Sequence, residues 1–237
     1  KEESKEFNSD MDDAYKKASK VIRKHDESKW KDDCYLLIAR SHFMKNDEFL
    51  ALEGFQYVIS QYPETETAKK AKIGILLTYL AHNKINDAEA IWSLFTNETK
   101  FNEKLMKDIY GIHADIYIQQ GKYRQATEEL SKALDRTRNK YERYRFNFIL
   151  GQLYLKLDES ALARKHFVKT IRLTPPYQFA FQSNLGLIST IAANETESLK
   201  VPKKYLKKML KDDKNLDYQD QIYFELAKIA MMENKTD

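Results

Sequence analysis

One cysteine, four prolines and six glycines are all that the 237 residues hold of the three residue types that most constrain a chain. A lone cysteine, Cys34, excludes an internal disulfide. So few glycines and prolines cannot supply the turns of an all-β fold, and that class is set aside. No run of about 18 apolar residues is present, so nothing in the sequence reads as a membrane-spanning helix. No signal peptide is visible. The chain opens on Lys1 rather than a methionine, which reads as a processed chain or a piece of a longer protein. Forty Lys and Arg against 36 Asp and Glu leave a net charge of +4, spread along the chain without the concentrated basic footprint of a DNA-binding protein.

Catalytic patterns are scarce too. The five histidines, His25, His42, His82, His113 and His166, form no HExxH and no Cys–His cluster with zinc spacing. His42 and His113 fall at framework positions and read as packed side chains. Cys34 has no histidine beside it in sequence and reads as a helix-packing cysteine rather than a nucleophile. No glycine-rich phosphate loop occurs, and the carboxylates are scattered over polar helix faces rather than paired as acid and base. The expectation is a protein that is not an enzyme, with no cofactor and no metal. Three glycosylation sequons, at Asn97, Asn194 and Asn234, read as polar loop residues.

What the sequence does have is 42% hydrophobic, 12% aromatic and 32% charged residues, the balance of a helical protein with a real core and much exposed surface. Residues 150–176, LGQLYLKLDESALARKHFVKTIRLTPP, show how it is organised. Leu150, Gly151 and Tyr154 share one helix face, Ala163 and Phe167 share another, and Asp158, Glu159 and Ser160 make the turn between them. Pro175 and Pro176 stop the second helix. Gly151 and Ala163 are expected to face each other and let the two backbones approach. The small residue recurs at Ala14, Ala51, Ala88, Ala126 and Ala163, at separations of 37, 37, 38 and 37 residues.

A helix–turn–helix unit at that period resembles the tetratricopeptide repeat, whose usual length is about 34 residues. The best matches are residues 114–134, ADIYIQQGKYRQATEELSKAL, and the 150–176 stretch. The resemblance implies an all-α, right-handed superhelical solenoid of antiparallel helix pairs with about 11 helices. It is read as one domain over 1–237, with units at 1–27 (partial), 28–64, 65–101, 102–139, 140–176, 177–214 and 215–237 (partial). The 177–214 unit departs from the pattern: residues 183–193 make its first helix, NETES a longer loop and residues 202–211 a basic second helix. Residues 11–25 read as a second helix without its first, and IYFELAKIAMMENKTD as a first helix without its second. Neither end offers a polar cap, so a fragment is expected.

First helices line the concave surface of such a stack. Counting along the framework places Arg40, Phe43 and Met44 there, then Ile73, Leu77 and Leu80. Asp115, Ile118 and Gln119 follow, then Arg145, Phe148, Gln152 and Lys156. The candidate partner-binding groove is therefore Arg40, Phe43, Met44, Leu77, Asp115, Gln119, Arg145, Gln152 and Lys156. Its mixture of apolar and polar groups suits a peptide or a partner helix better than nucleic acid. Tail-binding repeat modules usually carry a clamp of Lys, Asn and Arg, and Leu77, Asp115 and Gln152 stand at those places. The most basic stretch, KVPKKYLKKMLKDDK at 200–214, could meet an anionic membrane or acidic partner. Its apolar face, Val201, Tyr205, Leu206, Met209 and Leu210, is expected to serve the repeat's own core.

Residues 20–65 carry a narrower phrase: KHxxSKWxDD ends one helix, YLLIARSHF opens the next, and AxxGFQYVISQYP closes the unit. This is similar to bacterial outer-membrane tetratricopeptide lipoproteins of the BamD type. It is closer still to large repeat lipoproteins of the gliding and type IX secretion machinery of the Bacteroidetes. That resemblance implies a periplasmic, outer-membrane-associated scaffold that docks protein components of the envelope, with a lipid anchor outside these residues and no catalysis. No functional residue transfers from it. Two alternatives stand beside it: a cytoplasmic repeat module that binds peptides, and a repeat appendage of a larger enzyme or regulator.

Overall fold

The computed structural model describes residues 2–98, 101–192 and 199–233. Among these the chain is all-α, with twelve α-helices, one 3₁₀ turn at Asp213–Tyr218 and no strand. That is the expected class, with one helix more than counted from the sequence. Asn194, Asn234 and the NETES stretch lie outside the described residues, as does the side chain of Asn97.

The chain divides into two compact units, Lys1–Lys122 and Tyr123–Asp237. The first holds α1 (Glu2–Lys24), α2 (Lys31–Met44), α3 (Glu48–Gln61), α4 (Glu66–Ala81), α5 (Ile85–Glu98) and α6 (Glu103–Gln119). The second holds α7 (Tyr123–Arg136), α8 (Lys140–Lys156), α9 (Ser160–Arg172), α10 (Tyr177–Ala192), α11 (Lys200–Met209) and α12 (Gln219–Glu233). Within the first unit α2, α4 and α6 form a row of first helices, with α3 and α5 packed beside them. Within the second, α8, α10 and α12 form the equivalent row. α1 begins well before residue 11, where the apolar pattern starts.

The turns inside the helix pairs explain the period. Asn46, Asn83, Gly121 and Asp158 each sit in the left-handed region, with φ of 61°, 56°, 73° and 58°. Each lies five residues before a periodic alanine. The residue after it donates its N–H back across the turn: Asp47 to His42 at 3.0 Å, Lys84 to Tyr79 at 2.9 Å, Lys122 to Tyr117 at 2.8 Å and Glu159 to Tyr154 at 2.9 Å. This is the Schellman ending of a helix, which satisfies carbonyls that have no intrahelical partner. Asn, Gly and Asp are the residue types that tolerate this conformation at least cost. At the N-termini, Asp47, Thr65, Asn102 and Asn139 accept backbone N–H bonds from Leu50, Ala68, Leu105 and Tyr141.

Ala51, Ala88, Ala126 and Ala163 are completely buried, whereas in α1 the buried alanine is Ala18 and Ala14 is half-buried. The expected approach of Gly151 to Ala163 is corrected. Gly151 faces the ring of Phe167, which a Cβ would meet at 2.7 Å. Gly186 of α10 faces the same ring, with a Cβ contact of 2.5 Å. The ring needs more room than a methyl group does, so glycines on α8 and α10 both yield to it. In the first unit Phe55 enters against Gly74 in the same way, at 2.5 Å. The close approach of two small residues occurs at Gly54 and Ala39, where a Cβ would lie 2.8 Å from the alanine methyl.

The expected apolar face of residues 200–214 is also corrected. Leu206 and Pro202 are buried, and Met209 and Leu210 pack on the cluster of Phe181, Leu185, Ile188, Ile222 and Ile229. Val201 and Tyr205 are instead 60% and 44% exposed. The helix turns to bury the 202/206/209 stripe, and that rotation lifts residues 201 and 205 into solvent.

Candidate binding groove in the second unit

The first helices of the second unit enclose a groove of about 530 Å³. α8 contributes Phe148, Gln152 and Leu155, one stripe at i, i+4, i+7. α10 contributes Gln182, Leu185, Gly186 and Ser189, a stripe at i, i+3, i+4 and i+7. α12 closes the far side with Asp220, Gln221, Phe224 and Glu225. Phe167 of α9 reaches the groove between α8 and α10, past the two glycines that face its ring. The glycines therefore serve the site as well as the core.

The polar groups form two separate links between α10 and α12. Gln182 Nε2 donates to Gln221 Oε1 at 2.5 Å, joining α10 to α12. Ser189 Oγ, with one proton to donate, lies 3.2 Å from the carbonyl of Leu185 and 3.5 Å from Glu225 Oε2. Lys228 holds Glu225 at 2.9 and 3.0 Å and stands 5.6 Å over the Phe224 ring. Asp220 stays exposed in the first turn of α12. Phe224 is 65% exposed, although it borders the groove. Carboxamides at 152, 182 and 221 each offer a donor and an acceptor, which is what an extended peptide backbone presents. The volume lies within the range of about 300–1,000 Å³ usual for binding sites.

The residues expected to line a groove fall in both units. In the first, Arg40 is exposed, Met44 is 49% exposed and Leu77 is 38% exposed. Phe43 is partly buried and packs on the core, while Ile73 and Leu80 are buried within it. Asp115 and Gln119 meet on α6, where Gln119 Nε2 donates to the carboxylate at 3.3 Å. Burial pushes the Asp115 carboxyl above its usual range, opposed by that hydrogen bond. In the second unit Gln152 and Phe148 reach the groove. Arg145 turns to the Tyr141 ring at 5.3 Å and Lys156 to the Tyr123 ring at 5.4 Å. The sequence count stopped at α8 and missed the α10 and α12 walls. Carried one unit further, with Leu185 and Gly186 in the places of Leu150 and Gly151, it gives Ala180, Ser183, Leu187 and Ile191, none of which lines the groove.

His42 and His113 are packed against aromatic rings, as read from the sequence. His42 meets Tyr15 edge-on at 5.7 Å, and His113 stacks between Trp92 and Tyr117, 4.2 Å from each. Burial, with Asp33 and Asp32 adding to it, pushes the Cys34 thiol up, away from nucleophilic character. Among the described residues no group of three or more His, Cys, Asp or Glu is placed to hold a metal ion. No helix among them is long and apolar enough to cross a membrane.

Residues 2–159 match the tetratricopeptide repeat-like domain, and with well over half of the chain covered the protein belongs to that family. The apo form of the quorum sensor NprR from B. thuringiensis has the same fold, with a TM-score of 0.63 at 18% identity. That alignment covers 86% of this chain and 60% of NprR, so the chain spans about 60% of the length of that relative. A tetratricopeptide repeat protein from Parabacteroides merdae aligns with a TM-score of 0.65 at 13% identity, over 86% of this chain and 74% of the other. No curated protein matches significantly.

Proposed function

We propose that the chain is a non-catalytic scaffold that holds an extended segment of a partner protein in the α8/α10/α12 groove. The observation that carries this reading is the alignment of three first helices around one cleft. Carboxamides lie along it, with Phe148 and Phe224 beside them. Solenoid repeats use such first-helix surfaces for binding. The likeness of residues 20–65 to outer-membrane repeat lipoproteins supports a place in the bacterial envelope. There the scaffold would dock components of outer-membrane assembly or of secretion and gliding, with a lipid anchor outside these residues. A peptide-reading regulator is the second reading, supported by the structural similarity to the quorum sensor NprR.

The test is affinity capture with the wild type and with Gln182→Ala/Gln221→Ala/Phe224→Ser. Titration of peptides from any captured protein follows, by calorimetry. An envelope protein retained by the wild type, lost by the variant and reduced to one binding peptide is the expected result. Capture unchanged by the variant would remove the groove from the reading. A cytoplasmic signalling peptide as the only ligand would replace the envelope scaffold with the regulator.

A further inference from the structure

The basic helix α11 carries a surface that neither the core nor the groove uses. Residues 200–214 contain seven lysines, Lys200, Lys203, Lys204, Lys207, Lys208, Lys211 and Lys214, against two acids, Asp212 and Asp213. The whole chain has a net charge of only +4, so this is a local concentration. Lys203 is engaged by Glu233 at 2.7 Å. Asp212 is turned to its own backbone, accepting the N–H of Lys214 at 3.1 Å. Among the described residues no carboxylate pairs with Lys204, Lys207, Lys208 or Lys211.

Helical spacing orders this face. With Pro202, Leu206 and Met209 turned to the core, Lys204 and Lys208 stand in the middle of the opposite side. Lys207 lies on one shoulder, Val201 and Tyr205 on the other. An aromatic ring and a β-branched side chain are thus held in water beside exposed ammonium groups. The helix phase that buries Leu206 imposes this arrangement.

We infer that the outer face of α11 docks on an anionic phospholipid surface. The exposed lysines complement lipid phosphates. Their alkyl stems reach along the interface while the ammonium groups stay hydrated. Tyr205 has the amphipathic ring that settles at headgroup level, and Val201 beside it adds apolar area. A nucleic acid would use the lysines and leave Val201 without a role. A lipid surface uses every exposed group on the face. The inference stands apart from the groove, since α11 contributes no residue to it.

The test is co-sedimentation of the chain with vesicles of phosphatidylcholine alone and of phosphatidylcholine mixed with phosphatidylglycerol. Binding only to the anionic vesicles, and falling as salt is raised, is expected. Lys204→Glu/Lys208→Glu should lower the partition coefficient about tenfold or more. Tyr205→Ser should lower it by a smaller factor that persists at high salt. Lys17→Glu/Lys20→Glu, a change of equal charge on α1, should leave it unaltered. All these side chains are exposed, and circular dichroism confirms that each variant is folded. Equal loss in the α1 variant would reduce the effect to net charge and overturn the assignment. So would absence of vesicle binding, with an RNA or an acidic protein retained through the same lysines.

Discussion

α4 and α12 are both first helices, both rich in apolar residues, and they meet opposite fates. α4 buries nine of its 16 residues, because α2, α3, α5 and α6 all pack on it. α12 buries Ile222 and Ile229 out of 15, with α10, α11 and the 3₁₀ turn as its neighbours. Tyr223, Phe224 and Met231 on α12 stay 58%, 65% and 64% exposed. Apolar content says that a helix can form part of a core. The number of flanking helices decides whether it does. Among the described residues, a first helix flanked throughout is buried, and one flanked in part keeps an exposed face.

The comparison predicts a graded set of losses. Phe167→Ala would empty the space between Gly151 and Gly186, and Phe55→Ala the space against Gly74. Each should cost about 3–5 kcal/mol in denaturant unfolding. A cost under about 1 kcal/mol would mean that the ring does not organise its pair of helices.

His166 comes next. It is buried, with its ring Nδ1 2.9 Å from Asn147 Oδ1, and burial, helped by Lys169 and Lys165, lowers its pKa to about 4. Between the ordinary value of 6.5 and that value the unfolded chain binds a proton that the folded chain refuses. Stability from this residue is therefore present at pH 7 and is lost as the pH falls, by roughly 2 kcal/mol at pH 5. His166→Gln should flatten the dependence of the melting temperature on pH over that interval. An unchanged slope would assign the effect to other groups.

The left-handed turns should respond more weakly. Gly121→Ala should cost about 1–2 kcal/mol, and Asp158→Gly should gain a few tenths to about 1 kcal/mol, read as shifts of the unfolding midpoint. The smallest effect on stability is expected at the groove. Phe224→Ser should change unfolding by no more than about 0.5 kcal/mol while removing partner capture. A large loss of stability there would mean that α12 is as structural as α4, and the contrast between them would fall.

The fold was legible because its period is written twice. The buried alanines carry it, and so do the turn residues five places before each of them. Asp158 was visible as a turn residue. Asn46, Asn83 and Gly121 were not singled out, since Asn and Gly have many other uses and only the backbone shows their positive φ. The role of Gly151 was misread because a small residue signals a close approach without naming what approaches. There it is an aromatic ring from the second helix. The groove was half legible: Phe148 and Gln152 follow from the framework count. Gln182, Gln221 and Phe224 lie where the unit pattern loosens, so the count gave no register there. Val201 and Tyr205 were assigned to a core because they are apolar. The phase of α11 was set by Pro202 and Leu206, and sequence periodicity over ten residues cannot separate those two stripes.

The two tryptophans of the chain both belong to the first unit. Trp30 is 58% exposed beside Lys29, and Trp92 is stacked on His113. Tryptophan fluorescence, excited beyond the tyrosine absorption, is therefore a reporter of the first unit alone, and the second unit unfolds without a tryptophan signal of its own. Ellipticity near 222 nm, by contrast, sums the helices of both. Heating followed by the two signals together separates the melting of one half from that of the whole, with no label added. Coincident midpoints describe one cooperative solenoid. Midpoints that part, with Phe167→Ala moving only the ellipticity curve, describe two halves that fold as independent bodies.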